Sequence, residues 1–543
     1  MVFARRSTTL LAAIIASCAM VLSLTACTSD NKTVVDGQTT VTSNSAGGVA
    51  VFTPSDGITL NQQTPLNKWA KLVPDLTKAL VDAGFKKGDI DHTTSDSLDK
   101  QSRAIQDFVV DHLSNNTTDD SGIAIAPDNM TLLVAPVVEA DASTRQYGDY
   151  ISQNLSTNDA TDGEATSDGE SSEDDSSKDD SSNTESDSTA SDEQAQAVDR
   201  LVSSLKLAKE SGMHVVLLGN SIEGYKPDAF VKFSDAQTIG KLQAEKMVSK
   251  LKLDKASKDN PKYIEVLLPY TAMDEKGNAN DSTFAQEAFR GIWQVLGSYY
   301  QKGVVESPSG TLDGKSTEND WQAVAYDAAK EGSTAKVLDK RLAKTDGQST
   351  LTRIDGIITM NDYIASEVVK ELDDLGYTGS AADINPQITI SGIVGNITGK
   401  KDLSRDAVPD PIKSPENDNA NDSSSSDDDA DKDTSASDKD RDSQWPLVTG
   451  YGAYVSNIPS IVNGKQWMTG MEDRQTIATD IAQACAKLNK DEALNSMPSI
   501  RNSEVGGVKK IPTISEPLLA VSASNLKSAL IDPGYISLAD AGL

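Results

Sequence analysis

From residue 48 to residue 452 the chain alternates between two kinds of hydrophobic spacing. Short continuous apolar runs, "GVAVFTP" (48–54), "TLLVAPVV" (131–138), "HVVLLGN" (214–220), "AFVKFSD" (229–235), "YIEVLLP" (263–269), "IDGIITMND" (354–362), "ITISGIVG" (388–395) and "PLVTGYG" (446–452), predict buried strands. Between most of them lie stretches whose apolar residues recur every three or four positions, at 66–85, 99–113, 198–212, 239–251, 284–300 and 363–376, and these predict amphipathic helices. Strand and helix in such repeated alternation imply α/β architecture with parallel sheets and right-handed crossovers. The strands are too many for one comfortable sheet in 543 residues, so two doubly wound lobes are expected.

Three stretches break the pattern. Residues 28–47 are rich in Ser and Thr without hydrophobic period and predict a flexible tether. Residues 158–193 and about 401–443 are runs of Asp, Glu and Ser that cannot bury enough apolar surface to order themselves, so acidic insertions are expected at about 155–194 and 400–444. The expected division is then 48–222 plus 453–488 for one lobe and 227–449 plus 489–543 for the other. The formal net charge of −32 opposes binding to phosphate backbones, which argues against a nucleic-acid partner.

The N-terminus gives an address. Arg5 and Arg6 precede an apolar run over 10–22 that ends in Leu24-Thr25-Ala26-Cys27, the form of a cleavable signal rather than a spanning helix. A small residue directly before a cysteine resembles the lipobox of bacterial lipoproteins, which implies 1–27 as a lipoprotein signal, acylation of Cys27 and anchoring on the extracytoplasmic face of the cell membrane. Cys485 is then the one thiol left to the mature chain, and its helical context "IATDIAQACAKL" predicts a buried structural residue.

Motifs for catalysis are incomplete. "GTLDGKST" (310–317) has one residue too few between its glycines for a phosphate loop, and "LLGNSIEG" carries Glu223 where a nucleophile elbow around Ser221 needs glycine. His92, His112 and His214 lack metal-ligand spacing. No enzyme activity, cofactor or metal is expected.

The order of several segments resembles the type I sugar-binding proteins of bacterial ABC transporters, of the xylose, ribose and galactose type. "KWAKLVPDLTKALVDAGF" is similar to the family's first helix, with Trp69 on its tryptophan and Lys68 in place of arginine. "DSLDKQSRAIQDFV" parallels the second helix, with Gln101. "AFVKFSDAQTIGKLQAEKMV", with Gly240, Gln243 and Ala244, resembles the entry into the second lobe. "IDGIITMND" resembles the strand ending in Asn361-Asp362, "SIVNGKQWMTGMED" the return segment, and "LLAVSASNLKSALIDPGY" the closing segment. The resemblance implies two lobes joined by crossing segments near 220–226, 306–314 and 450–452, a ligand bound between them, and hinge closure.

The family's pentose contacts are largely replaced here. Asn220-Ser221 stand for its Asp-Arg, Gly450-Tyr451-Gly452 for its Gly-Gln-Asp, and Met471-Glu472 for its Tyr-Lys. The resemblance therefore implies a different saccharide or small polar ligand, with a pocket built from Trp69, Asn220, Asn361, Asp362, Tyr451, Tyr454 and Glu472, and an ABC permease as membrane partner. An alternative is a degenerate receptor acting through protein partners or in sensing, whose crevice would be filled by side chains such as Met471 or bridged by an inserted loop. Trp69 also has a plain packing role open to it, and Asn361-Asp362 a helix-capping one.

Overall fold

The computed structural model describes residues 32–35, 38–41, 46–55, 65–115, 125–138, 144–157, 185–273, 280–343, 351–382 and 443–543. The signal segment with Cys27, the run 388–395 and most of both acidic stretches lie outside the described residues. Residues before Ala46 form a separate unit, in which β1 (Lys32–Val35) and β2 (Gln38–Val41) pair antiparallel, within a stretch expected to be a featureless tether. β-branched Thr and Val beside an Asp-Gly pair supply the hairpin signal.

In the second unit, β3 (Gly48–Pro54), α1 (Trp69–Asp82), β4 (Ile90–Ser95), α2 (Leu98–Asn115), β5 (Met130–Val134), β6 (Asn154–Leu155), α3 (Glu185–Glu210), β7 (His214–Leu218), β8 (Ser221–Ile222) and β9 (Ala229–Val231) build the first lobe. Its main sheet runs β4-β3-β5-β7-β9 in parallel, and two strands from the chain's far end, β17 (Ile500–Val505) and β18 (Val508–Ile514), complete it beyond β9. β3 and β5 are covered on both faces, so they are almost wholly apolar; β4 at the edge is mostly exposed and polar, which hid it from the hydrophobic pattern.

The second lobe holds α4 (Ala236–Leu251), β10 (Lys262–Val266), β11 (Leu268–Pro269), α5 (Thr283–Gln301), β12 (Val305–Glu306), α6 (Trp321–Val324), β13 (Ala325–Tyr326), α7 (Ser333–Arg341), β14 (Gly356–Ile358), α8 (Asp362–Leu375) and β15 (Leu447–Thr449). Its parallel sheet has the order β12-β10-β14-β15. Both sheets thus reverse their strand order beside their first strand, the doubly wound arrangement that opens a crevice at the carboxyl ends. The return passes through α9 (Ile458–Val462), β16 (Met468–Met471) and α10 (Arg474–Leu488), and β19 (Leu519–Ser522) pairs antiparallel with β16.

The lobe boundaries differ from expectation in three places. β9 and the 500–514 hairpin belong to the first sheet, not the second lobe, because their backbones pair with β7 and with each other. The crossings are accordingly 232–235, 472–473 and 515–518. Residues 220–226 stay within the first lobe, and 306–314 stay in the second, where Ser307 Oγ and Ser309 N both donate to buried Glu265 on β10. The acidic insertion expected to run to 194 also ends earlier, since α3 begins at Glu185.

Among the described residues no helix is long and apolar enough to cross a membrane. Cys485 is a free thiol buried in the core between α10 and the first sheet, where burial pushes its pKa up.

Two glycines set the spacing of the second lobe's front helices. A Cβ on Gly240 of α4 would lie 2.2 Å from the Ala288 carbonyl oxygen, and one on Gly291 of α5 would lie 2.0 Å from that of Gln237. Alanine improves helix propensity by about 1 kcal/mol, yet here it must push two backbones apart. Gly240→Ala and Gly291→Ala should therefore each destabilise the protein, by about 1–3 kcal/mol in urea unfolding. A gain in stability from either would show that the helices do not pack this closely.

Candidate functional site

The carboxyl ends of strands from both sheets deliver the residues of interest. β7 leads through Gly219 to Asn220, β14 through Met360 to Asn361, and β15 through Gly450 to Tyr451. Met360 and Ala453 hold positive φ of 68° and 50° without being glycine and are fully buried. Such strain persists where surrounding contacts over-determine the backbone, often at functional sites.

Asp362 organises the return turn. Its Oδ2 accepts from Tyr454 N and Thr469 Oγ1, both at 2.9 Å, and its Oδ1 from Gln466 Nε2 at 2.7 Å. The carboxylate leaves no room for a side chain at residue 450, since a Cβ on Gly450 would lie 2.2 Å from Asp362 Oδ1. Burial pushes its pKa up to about 6 even though these donors pull the other way.

Glu472 joins two crossing segments. Its Oε1 accepts from Ser234 N at 2.7 Å and from Ser234 Oγ, and Tyr451 Oη lies 2.8 Å from that serine oxygen. Burial pushes its pKa up to about 7. Glu472 therefore stands at a crossing with its carboxyl group buried and bonded to Ser234 rather than open to solvent.

The remaining residues meet a segment of their own chain. Residues 144–155 run between the lobes, and every other group named from the sequence touches them. Trp69 opens α1 with its ring 5.1 Å from Tyr150 and 5.7 Å from Phe233, edge on in both cases. Asn220 donates to the Pro136 carbonyl and accepts from Gln153 N, each at 2.9 Å. Asn361 caps α8 by accepting from Ile364 N and donates Nδ2 to Gln146 Oε1 at 3.2 Å. Tyr454 donates to the Gln146 carbonyl at 2.7 Å, and the Tyr451 ring lies 6.2 Å from that of Tyr147.

All seven residues are at most 3% exposed, so in this conformation none presents a free polar face to solvent. Met471 is buried elsewhere, with Val521, Leu526 and Leu530 in a small cluster beside the hinge; the crevice is bridged by the segment instead. Among the described residues no group of three or more His, Cys, Asp and Glu could hold a metal ion. The partners the sequence missed, Gln146, Tyr147, Asp149, Tyr150 and Gln153, lie in a polar connection with no period to mark them.

Because folded Glu472 keeps its proton to about pH 7, whereas an ordinary glutamate ionises near 4.5, the folded state binds more protons between those values. Stability must then be greatest below the lower pH, fall as pH rises toward the upper, and flatten above it. Asp362, raised from 3.8 to about 6, acts in the same direction. Glu472→Gln cannot ionise, so its loss of stability between about pH 5 and about pH 8 should be smaller than the wild type's by about 2–3 kcal/mol in paired urea titrations. Equal losses would mean that Glu472 is ionised in the folded protein.

No family model and no curated protein matches the chain. Solved structures do align with most of it. An ABC transporter solute binding protein from Clostridium phytofermentans with bound β-D-glucose is 17% identical, with 91% of this chain and 99% of that one covered and a TM-score of 0.43. A carbohydrate transporter solute binding protein from Chloroflexus aurantiacus in complex with D-glucose is 17% identical over 92% and 98%, at 0.42. A periplasmic ribose ABC transporter protein from Conexibacter woesei is 13% identical over 90% and 96%, at 0.41.

Proposed function

We propose that this chain is an extracytoplasmic solute-binding lipoprotein, anchored to the cell membrane through Cys27, that takes a saccharide or similar small polar ligand between its lobes and delivers it to an ABC permease. The observation that supports this reading is that Trp69, Asn220, Asn361 and Tyr451, from the first helix and the carboxyl ends of strands in both parallel sheets, all lie against the same stretch, residues 146–153. Crevices at such strand ends are where doubly wound sheets hold ligands, and an aromatic face beside amide groups suits a sugar ring and its hydroxyls. Binding would act by favouring the closed arrangement.

A second reading, a receptor that has lost its solute and works through protein partners, is favoured by one specific observation. The crevice groups already have partners from residues 146–153.

Thermal unfolding of the full chain, scanned against pentoses, hexoses, polyols, short oligosaccharides and nucleosides, separates the two. Ligand that binds the folded state alone raises the midpoint, and at a hundredfold excess over Kd contributes about 3 kcal/mol. The first reading expects a saturable rise with one class, reduced in Trp69→Ala and Asn361→Ala. A cooperative transition that no compound moves would favour the second.

A further inference from the structure

We propose that residues 145–155 act as an intramolecular ligand, seated in the crevice so as to hold the two lobes closed until a solute bearing an anionic group displaces them.

The segment is fixed to the first lobe at several points. β6 pairs in parallel with β8, Gln153 N donates to Asn220, and Asp149 N donates to the Asn67 carbonyl at 2.8 Å. Gly148 makes the close approach possible: its φ is 99°, and a Cβ there would lie 2.5 Å from the Asn67 carbonyl oxygen. From these anchors the segment reaches across. Tyr147 and Ile151 are buried within the apolar cluster of the second lobe, while Tyr150 and Leu155 belong to clusters of the first. The Tyr147 ring lies 4.6 Å from Phe284 at the start of α5, and Gln146 meets Asn361 at the start of α8. One short stretch thus bonds to both lobes, as a solute in a closed receptor does.

Its functional groups are those a solute would offer. Tyr150 stacks on Phe233 at 4.6 Å and supplies a ring. Gln146 supplies an amide to Asn361. Asp149 supplies a carboxylate, whose Oδ1 accepts from Lys68 Nζ at 2.6 Å and whose Oδ2 accepts from Trp69 N, the first amide of α1, at 3.1 Å. That amide and the helix dipole favour negative charge, and Lys68 is largely covered, with 17% of its side chain exposed. Removing the segment takes the carboxylate away from Lys68 Nζ and from the first amide of α1, two donors that an incoming anion can engage again. A sugar acid therefore suits the vacated crevice better than its neutral counterpart. Being tethered, the segment competes at a high effective concentration, and the apparent affinity of any solute is its intrinsic affinity multiplied by the fraction of molecules whose segment is displaced.

The locking part stands independently of the solute-binding proposal; the displacement part rests on it. Both are tested on the full chain by hydrogen exchange in Gly148→Val, which cannot seat the segment, and in the milder Asp149→Ala. Locking predicts exchange about tenfold faster at amides of the second lobe, 361–364 and 450–454, none of which either substitution touches. Acceleration confined to 145–155 and the start of α1 would overturn the lock. The displacement part is read from thermal midpoints of Asp149→Ala with D-glucuronate and with D-glucose. A larger rise with glucuronate supports the anionic solute, and an equal or larger rise with glucose overturns it. No rise with either, in a variant whose second-lobe amides exchange fast, would overturn displacement while leaving the lock standing.

Discussion

Two carboxyl groups are buried where the lobes meet, and the path of the chain between the lobes depends on both. Taking a carboxylate out of water costs several kcal/mol, and the cost is tolerable only when donors replace the lost solvent or a proton is retained. Asp362 follows the first route, with three donors drawn from residues 454, 466 and 469. It thereby folds the return segment around itself and imposes glycine at 450. Glu472 follows the second: burial raises its pKa to about 7, and Ser234 from another crossing segment donates to it twice. The hinge is tied by polar groups that are satisfied by one another, so its geometry is well specified.

Around that junction the apolar cores are conventional. The main sheet of each lobe is sandwiched between helices, and the clusters on its two faces account for the strand composition, from the fully buried β3 and β5 to the polar edge strand β4. The small cluster of Met471, Val521, Leu526 and Leu530 closes the hinge side, where β16 and β19 pair. Residues 146–153 lie against both lobes, bonded to Asn220, Asn361 and Tyr454.

Several features were legible in the sequence. The six helical stretches and seven of the eight apolar runs correspond to elements of the structure, the eighth lying outside the described residues. Trp69 and Asn361 were named together with their ordinary structural roles, and Asn361 does cap its helix. The hairpin at 500–514 could have been found from Gly506-Gly507, which sit between alternating runs and hold φ of 55° and 77°. Its placement in the first sheet could not, because strand order is set by pairing between residues far apart in the chain. The same limit hid β9's membership and moved the crossings away from 220–226 and 306–314.

The sequence by itself determined the α/β class, the two-lobed plan and the residues that would stand at the carboxyl ends of the strands, because these follow from local period and from which faces must be buried. Only the tertiary structure decided what those residues do. Whether Glu472 is a charge or a held proton depends on its desolvation among Ser234 and Tyr451, and whether Asn220 and Asn361 face a solute depends on what fills the space before them. Tyr147, Asp149 and Tyr150 stand 81 or more residues from Lys68, Phe233 and Phe284, in a stretch with neither helical nor strand period. Their place in the crevice is a property of the folded chain, fixed by packing and hydrogen bonds between its distant parts.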